Sequence, residues 1–493
     1  MPDTDITAPA IVWFRDDLRL ADNPALARAA GSGRALVCVY VHDDDPPGRP
    51  LGSAARWWLH HALQALDAAL ARRGGRLVLW HGPQAAAIER LAEVLRAGAV
   101  YWNRRYEPAQ RETDAALKRA LRARGIMVES GNGTLLHEPW EVLTAAGAPF
   151  QMFGAYWRAA GKLGEVPAPL PEPQALRWHA PLPPAVRQHA VTLDELALLP
   201  RHPDWAGGLR AQWPPDGLQA LQRLAGFLQS GLEDYADGRD QPGQAGTSRL
   251  SPHLRFGQLS PRQAWHAAAE AAGGRTATQA GLEKFRGELG WREFCYSLLY
   301  HFPDLARRNF RAGFDAMPWR DDAAALRAWQ RGMTGYPLVD AGMRELWATG
   351  WMHNRVRMVT ASFLVKHLLI DWRVGEAWFW DTLVDADPAS NPANWQWVAG
   401  CGADAAPYFR IFNPVLQGRR FDPQGHYVRR WVPELAALSD RWVHEPRQAP
   451  AAQLAQAGVQ LGRDYPAPIV AHGEARQRAL AAVARAGGKP APA

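Results

Sequence analysis

A chain of 493 residues, 47% of them hydrophobic and 21% charged, is too long for one ordinary core and too apolar to be disordered, so at least two packed domains are expected. The net charge of +7 permits a polyanionic partner, but no block of consecutive basic residues forms a tail, so such a site must be assembled by folding. Three cysteines without CxxC spacing, an acidic and polar N-terminus, and no apolar run of spanning length (Met358 to Ile370 is interrupted by Lys366) argue against a disulfide framework, a zinc site, a signal peptide and a membrane helix, and fit a reducing cytosol.

The first third alternates strand and helix. Ile11 to Phe14 and Ala35 to Val41 are short apolar runs of the kind buried in parallel sheets. Leu59, Leu63, Leu66 and Leu70 follow helical spacing, Arg76 to Trp80 reads as a strand, and Ile88, Leu91 and Leu95 as a helix. Ala99 to Trp102 is a strand, Leu117 and Leu121 mark a helix, and Ile126 to Glu129 is a last strand. Asp22-Asn-Pro24 starts a helix, with a capping residue and an early proline. This is a doubly wound α/β domain over residues 9–135. It lacks GxGxxG and GxxxxGK, which excludes ordinary dinucleotide and P-loop binding.

Residues 136–216 are proline-rich and read as a long connector over the surface, with a short helix around Phe150 to Lys162. Residues 217–485 are helical throughout, and 486–493 form a short Gly/Pro/Ala tail. The chain carries 23 tryptophans, an excess that ordinary packing rarely calls for.

Within the helical part, Glu288, Trp291 and Arg292 stand at i, i+3 and i+4, so acid, indole and guanidinium share a helix face. That face suits an aromatic ligand with a hydrogen-bonding rim, and equally an exposed Glu–Arg pair beside a half-buried indole. Asn354, Arg355 and Met358 repeat the pattern, and a buried amide at Asn354 would need a specific partner. Trp395 and Trp397 are separated by roughly 200° on a helix and cannot serve the same wall: one can face a cavity while the other faces the interior, and equally both can be core tryptophans of a well-buried helix. Thr247-Ser-Arg-Leu-Ser251 offers hydroxyls and backbone N–H groups to a phosphate, although many loops cap helices this way. The histidines lack metal spacing, His353 reads as a hydrogen-bonded helix residue, and Glu138 reads as an acid at a helix start. The region closes on Tyr408-Phe-Arg-Ile-Phe-Asn-Pro414.

Together these segments resemble the photolyase/cryptochrome family. The resemblance runs from Val12-Trp-Phe-Arg-Asp-Asp-Leu-Arg-Leu20 through Gly246-Thr-Ser-Arg-Leu-Ser251, Gly335-Tyr-Pro-Leu-Val-Asp-Ala-Gly-Met343 and Trp351-Met-His-Asn-Arg355 to Asp464-Tyr-Pro-Ala-Pro-Ile-Val470. It implies an α/β antenna domain, a connector and an all-α domain that binds FAD, reduced in the active form. By motif, the FAD phosphates and ribityl fall to Tyr235, Thr247, Ser248, Arg249, Leu250 and Ser251. Arg292, Asn354, Arg357, Asp385, Ala386 and Asp387 lie along the cofactor, with Arg357 paired to Asp385, and Asn391 stands beside flavin N5. Trp395, Trp372 and Trp319 match a chain that carries electrons from the surface to FAD.

The resemblance also implies a lesion pocket of Glu288, Trp291, Met358 and Trp397, with Asn391 completing the catalytic set. DNA is met by Arg239, Arg292, Asn354, Arg355, Arg410 and Gln417, together with Glu288, Trp291 and Trp397. Two histidines of (6-4) photolyases are replaced here by Asn354 and Met358. The Asp or Cys common in plant and animal cryptochromes is replaced by Asn391. These residues point to repair of cyclobutane pyrimidine dimers in DNA: the dimer is flipped into the pocket and split by an electron from excited reduced FAD, which then returns. A blue-light sensor without repair and a non-redox DNA-binding protein are the rival readings. A monomer in the cytoplasm, with no membrane, metal or obligate protein partner, is expected. An antenna chromophore, folate or deazaflavin, is implied by the family, yet Ala109-Gln110 replaces the Asn-Glu pair of a folate-binding branch. Glu138 is then the available carboxylate for a differently placed pterin.

Overall fold

The structure, a computed structural model, describes residues 7–213, 217–406 and 409–486. Strands β1 (Ala10–Phe14), β2 (Leu36–His42), β3 (Leu77–His81), β4 (Ala99–Asn103) and β5 (Met127–Gly131) form one parallel sheet in the order β3-β2-β1-β4-β5. Every residue of β1 and β2 is buried, as a sheet covered on both faces requires. Alternation along the strands sorts the side chains. Val12, Phe14, Cys38 and Tyr40 pack under helices α1 (Pro24–Gly31) and α2 (Ser53–Ala71), while Ile11, Trp13, Val37 and Val39 pack on α3 (Gln84–Leu95) and α4 (Pro108–Ala123). The start of α1 is built as the sequence predicts: Asn23 accepts from the Leu26 amide at 3.1 Å, with Pro24 at the first position.

The connector carries a helix, α5 (Phe153–Ala160), inside the predicted Phe150 to Lys162. Its later part pairs with β2, since the Leu36 amide donates to the Arg177 carbonyl at 2.7 Å and the His179 amide to the Leu36 carbonyl at 3.1 Å. Its earlier part packs Leu136 and Val166 among helical-region side chains such as Leu224 and Phe285. The core beneath α1 and α2 continues into Phe256, Trp351 and Val384, so sheet and helices share buried surface. Pro214, Pro215 and Tyr408 lie outside the described residues, and of the expected tail only Ala486 is described.

Four helices face one another across the helical domain: α6 (Thr276–His301), α7 (Asn354–Ser362), α8 (Trp372–Thr382) and α9 (Ser390–Ala399). After α7 a π-turn, Phe363–His367, buries Lys366 against the Phe409 ring, with its ammonium donating to the Arg410 carbonyl. Burial pushes that lysine down to about 7. Among the described residues no helix is long and apolar enough to cross a membrane.

Candidate functional site

Between these four helices lies an open cavity of about 500 Å³, the size of a cofactor or ligand site. Glu288, Trp291 and Arg292 of α6 all line it, as the i, i+3, i+4 spacing predicts. From α7 come Asn354, Arg355, Arg357 and Met358, and from α9 and the segment entering it come Asp385, Ala386, Asp387 and Asn391.

The wall residues are held from behind. Phe153 of the connector stacks on Trp291 at 3.9 Å and 12°, which leaves one indole face for a ligand. Glu288 is paired with Arg239 and lies 3.8 Å from Lys284. Arg239 Nε is 3.9 Å from Asp240, and Asp240 accepts from Arg355 at 2.6 Å. Acids and bases therefore alternate across the mouth, from Lys284 through Glu288, Arg239 and Asp240 to Arg355, and two of the expected DNA-binding arginines are held in place before any ligand arrives. Arg292 also donates to the Thr134 carbonyl at 2.6 Å.

On the inner wall, Arg357 donates to Asp385 Oδ2 at 2.8 Å, the predicted pair. Asp385 Oδ1 is buried and has no hydrogen-bond partner among the described residues. An unmet carboxylate oxygen on a cavity wall is costly unless a ligand donor reaches it. Asp387 is already committed: its Oδ1 accepts from the Ala389 and Ser390 amides at 2.9 and 2.7 Å, and its Oδ2 from the Tyr296 hydroxyl at 2.9 Å. Asn391 gives its amide nitrogen to Glu376, at 2.7 Å to the carboxylate and 3.1 Å to the carbonyl.

Several sequence expectations need correcting. Trp395 and Trp397 line the same cavity, together with Ser390, Asn391, Asn394 and Val398: these positions form one broad face of α9, with the two tryptophans at its opposite edges. Asn354 is exposed at the start of α7, so it has no buried amide to satisfy. His353 caps that helix, accepting from the Arg355 amide at 3.1 Å, and burial takes it down to about 3, hence neutral. Glu138 begins no helix: Arg104 is paired with it and the Tyr106 hydroxyl donates to it at 2.8 Å, so its carboxylate is occupied within the protein.

Of the residues expected to meet cofactor phosphates, only Ser251 lines the cavity. Thr247, Ser248 and Arg249 are half-buried beside it, Leu250 is buried, and Arg249 stacks 4.6 Å over Trp351, a cavity residue. Tyr235 is buried between Phe227 and Phe285, with Arg239 over its ring. Arg410 and Gln417 do not reach the cavity; Arg410 is exposed and Gln417 half-exposed.

Trp395 is 3% exposed, Trp372 is fully buried and Trp319 is partly buried; of the three only Trp395 lines the cavity. Trp395 lies so close to α8 that a Cβ at Gly375, one turn after Trp372, would collide with its ring. Its own aromatic neighbours are Phe379 and Trp329, at 4.9 and 6.3 Å. Sequence reasoning missed Trp329, Phe153, Lys284, Asp240 and Glu376. Lys284, four residues before Glu288 on one helix, and Asp240, next to Arg239, carried a local signal; the others meet the site from more distant stretches of chain.

A smaller crevice opens at the carboxyl ends of the strands. Arg105 Nε and Arg255 Nη1 hold Asp16 at 2.8 and 2.9 Å, and Gln110 donates to the Pro47 carbonyl at 2.8 Å. The remaining space of about 50 Å³ is room for little more than water, so these residues do not fit a folate or deazaflavin ring at this position.

A family profile described as the FAD binding domain of DNA photolyase matches residues 285–485, and one described as DNA photolyase matches residues 10–174. The deoxyribodipyrimidine photo-lyase of Agrobacterium fabrum is 52% identical over 478 residues, spanning 97% of this chain and 98% of that relative. Cryptochrome-1 of Arabidopsis thaliana is 38% identical over 486 residues, spanning 95% of this chain and 69% of that relative. The crystal structure of a bacterial class III photolyase from Agrobacterium tumefaciens matches with a TM-score of 0.93 at 50% identity and covers 99% of each chain. Most of the cavity lining falls inside the matched FAD-binding segment, and likeness to these relatives extends from end to end: the chain belongs to the DNA photolyase family.

Proposed function

We propose that the protein is a light-driven repair enzyme for cyclobutane pyrimidine dimers in DNA, with FAD held in the helical cavity. The observation that carries this reading is that one cavity joins two sets of residues. Asp385, with its unmet oxygen, Arg357 and Asn391 suit a hydrogen-bonding ring system, while Glu288, Trp291, Met358 and Trp397 suit a flat, carbonyl-bearing lesion. When bound and reduced, FAD supplies on illumination the electron that opens the cyclobutane ring, and it receives the electron back.

The chain's own residues bind, orient and exclude. Arg239, Arg292, Asn354 and Arg355 of the cavity lining, with Arg410 and Gln417 outside it, meet the phosphates and position the duplex. A dimer is already poorly stacked, so turning it into the cavity costs less than for an intact step. Trp291, braced by Phe153, and Trp397, whose indole donates to the Asp404 carbonyl at 3.0 Å, form apolar walls. Glu288 stands where the pyrimidine carbonyls arrive; to meet them it exchanges part of its pairing with Arg239. Asn354 and Met358 supply no proton donor of the imidazole kind, which separates this pocket from (6-4) repair. Tyr235 and Thr247 to Ser251 hold the distal part of FAD beside Ala386 and Asp387, and Trp395, Trp372 and Trp319 carry electrons inward. The protein acts as a monomer in the cytoplasm, with dimer-containing DNA as its partner.

The test is product analysis. Protein purified with FAD and reduced should convert dimer-containing oligonucleotide to intact pyrimidines under blue light and not in the dark. A yellow protein that binds such DNA and leaves the dimers in place under light is instead a sensor, a reading that its likeness to Cryptochrome-1 supports.

A further inference from the structure

Arg49, in the loop between β2 and α2, lines the smaller crevice and is linked to the cavity residue Asn391 through Glu376. Its Nη1 donates to both carboxylate oxygens of Glu376 on α8, at 2.8 and 2.9 Å. The guanidinium lies 4.3 Å over the Trp380 ring. Trp380 Nε1 donates to the Pro50 carbonyl at 2.9 Å, and both the amide and the hydroxyl of Ser53 bond to Asp381. Gly52 approaches the Trp380 carbonyl so closely that a Cβ would collide with it. The loop is therefore clamped to α8, and Arg49 is anchored although its side chain is 33% exposed; that of Glu376 is 4% exposed.

Glu376 decides how the amide of Asn391 is turned. Its carboxylate, held by the Arg49 guanidinium, and its backbone carbonyl both accept from Asn391 Nδ2, so the amide commits its nitrogen there and keeps its oxygen for the cavity. Burial raises the Glu376 acid, and Arg49 opposes that rise. Without the guanidinium the buried carboxyl takes up a proton more readily and becomes an O–H donor. The amide is then free to turn its oxygen toward Glu376 and its nitrogen toward the cavity.

We propose that Arg49, a residue of the α/β domain, is a positioning residue that fixes which end of the Asn391 amide faces the flavin and so sets how strongly the cavity favours the reduced cofactor. This rests on the reading that places Asn391 beside flavin N5. An amide oxygen there accepts the N5–H of reduced flavin, whereas an amide nitrogen donates to the bare N5 of the oxidised form. The couple concerned takes two electrons from an added reductant such as dithionite and takes the N5 proton from water.

The experiment is a dark equilibrium titration of full-length, FAD-loaded protein against reference dyes, comparing wild type with Arg49→Met, Arg49→Gln and Arg49→Lys, and repeating Arg49→Met on an Asn391→Ala background. Arg49→Met should lower the reduced-to-oxidised ratio at fixed potential about tenfold, which is about 30 mV for a two-electron couple. Arg49→Lys keeps the charge and should return the ratio to within about twofold of wild type. On the Asn391→Ala background Arg49→Met should add nothing. If Arg49→Met does not retain FAD, Arg49→Gln is read in its place with the same expectation. An unchanged ratio in the uncharged variant, or a shift that persists in full without Asn391, overturns the proposal. A wild-type protein that takes up no FAD, or an Asn391→Ala potential equal to wild type, instead defeats the underlying placement of cofactor and amide.

Discussion

At the carboxyl ends of β1 and β4, where a doubly wound sheet changes direction and ordinarily binds its ligand, Asp16, Arg105 and Arg255 satisfy one another and leave about 50 Å³. Burial alone would raise the Asp16 acid, but the two guanidiniums hold it at about 2. The cavity among α6 to α9 has the same kinds of residue and about 500 Å³ of space, and it keeps a buried oxygen of Asp385 unmet. Residue type alone does not separate the two places. What marks the cavity as a binding site is volume together with a buried polar atom that the protein itself does not satisfy; what marks the crevice as structural is the small space left once Asp16 is paired with Arg105 and Arg255, which joins the sheet to the helices.

Substitutions in the two places should therefore behave differently. The largest effect is expected at Asp385→Ala, which removes the open acceptor and leaves Arg357 without its buried partner. FAD retention, read from flavin absorbance after desalting, should fall by about a hundredfold in affinity, the roughly 3 kcal/mol expected for breaking such a pair. Glu288→Ala should keep FAD and lower repair per absorbed photon by about tenfold, the loss of one charge-assisted hydrogen bond. Trp319→Phe should slow photoreduction of oxidised protein and leave repair by pre-reduced protein unchanged; equal photoreduction would break the assigned electron path. Asp16→Asn should touch neither FAD retention nor repair, while lowering the melting temperature at neutral pH. Because the folded acid sits at about 2 against an ordinary value of 3.8, its stabilisation is complete above the ordinary value and is lost as pH falls toward 2. The difference in melting temperature between wild type and Asp16→Asn should shrink over that window. A variant that loses FAD instead would erase the distinction between crevice and cavity.

Local patterns carried much of the fold. The cap and proline at Asn23 and Pro24, the apolar runs of β1 and β2, and the leucine spacing of α2 are all short-range signals, and each marks a real element. The face of Glu288, Trp291 and Arg292 was legible for the same reason. Spacing failed where geometry depends on other segments. Nothing around Trp395 says that the cavity is wide enough to take both edges of the α9 face, and nothing around Asn354 says that it is exposed. Arg49 and Glu376 meet across 327 positions, and Asp240 and Arg355 across 115, distances at which periodicity is silent. Cofactor and electron-transfer roles came from family resemblance, since no helical period distinguishes an electron carrier from a buried indole.

If cofactor and lesion share one cavity, the excited state of the cofactor must sense the lesion. The fluorescence lifetime of reduced FAD bound to the protein, measured with dimer-containing and with undamaged oligonucleotide at saturating and equal occupancy, reads this out. A shortened lifetime is expected with the dimer alone, because only a dimer seated against Trp397 and Glu288 accepts the electron. An unchanged lifetime with dimer DNA fully bound would put the lesion elsewhere and contradict the shared cavity.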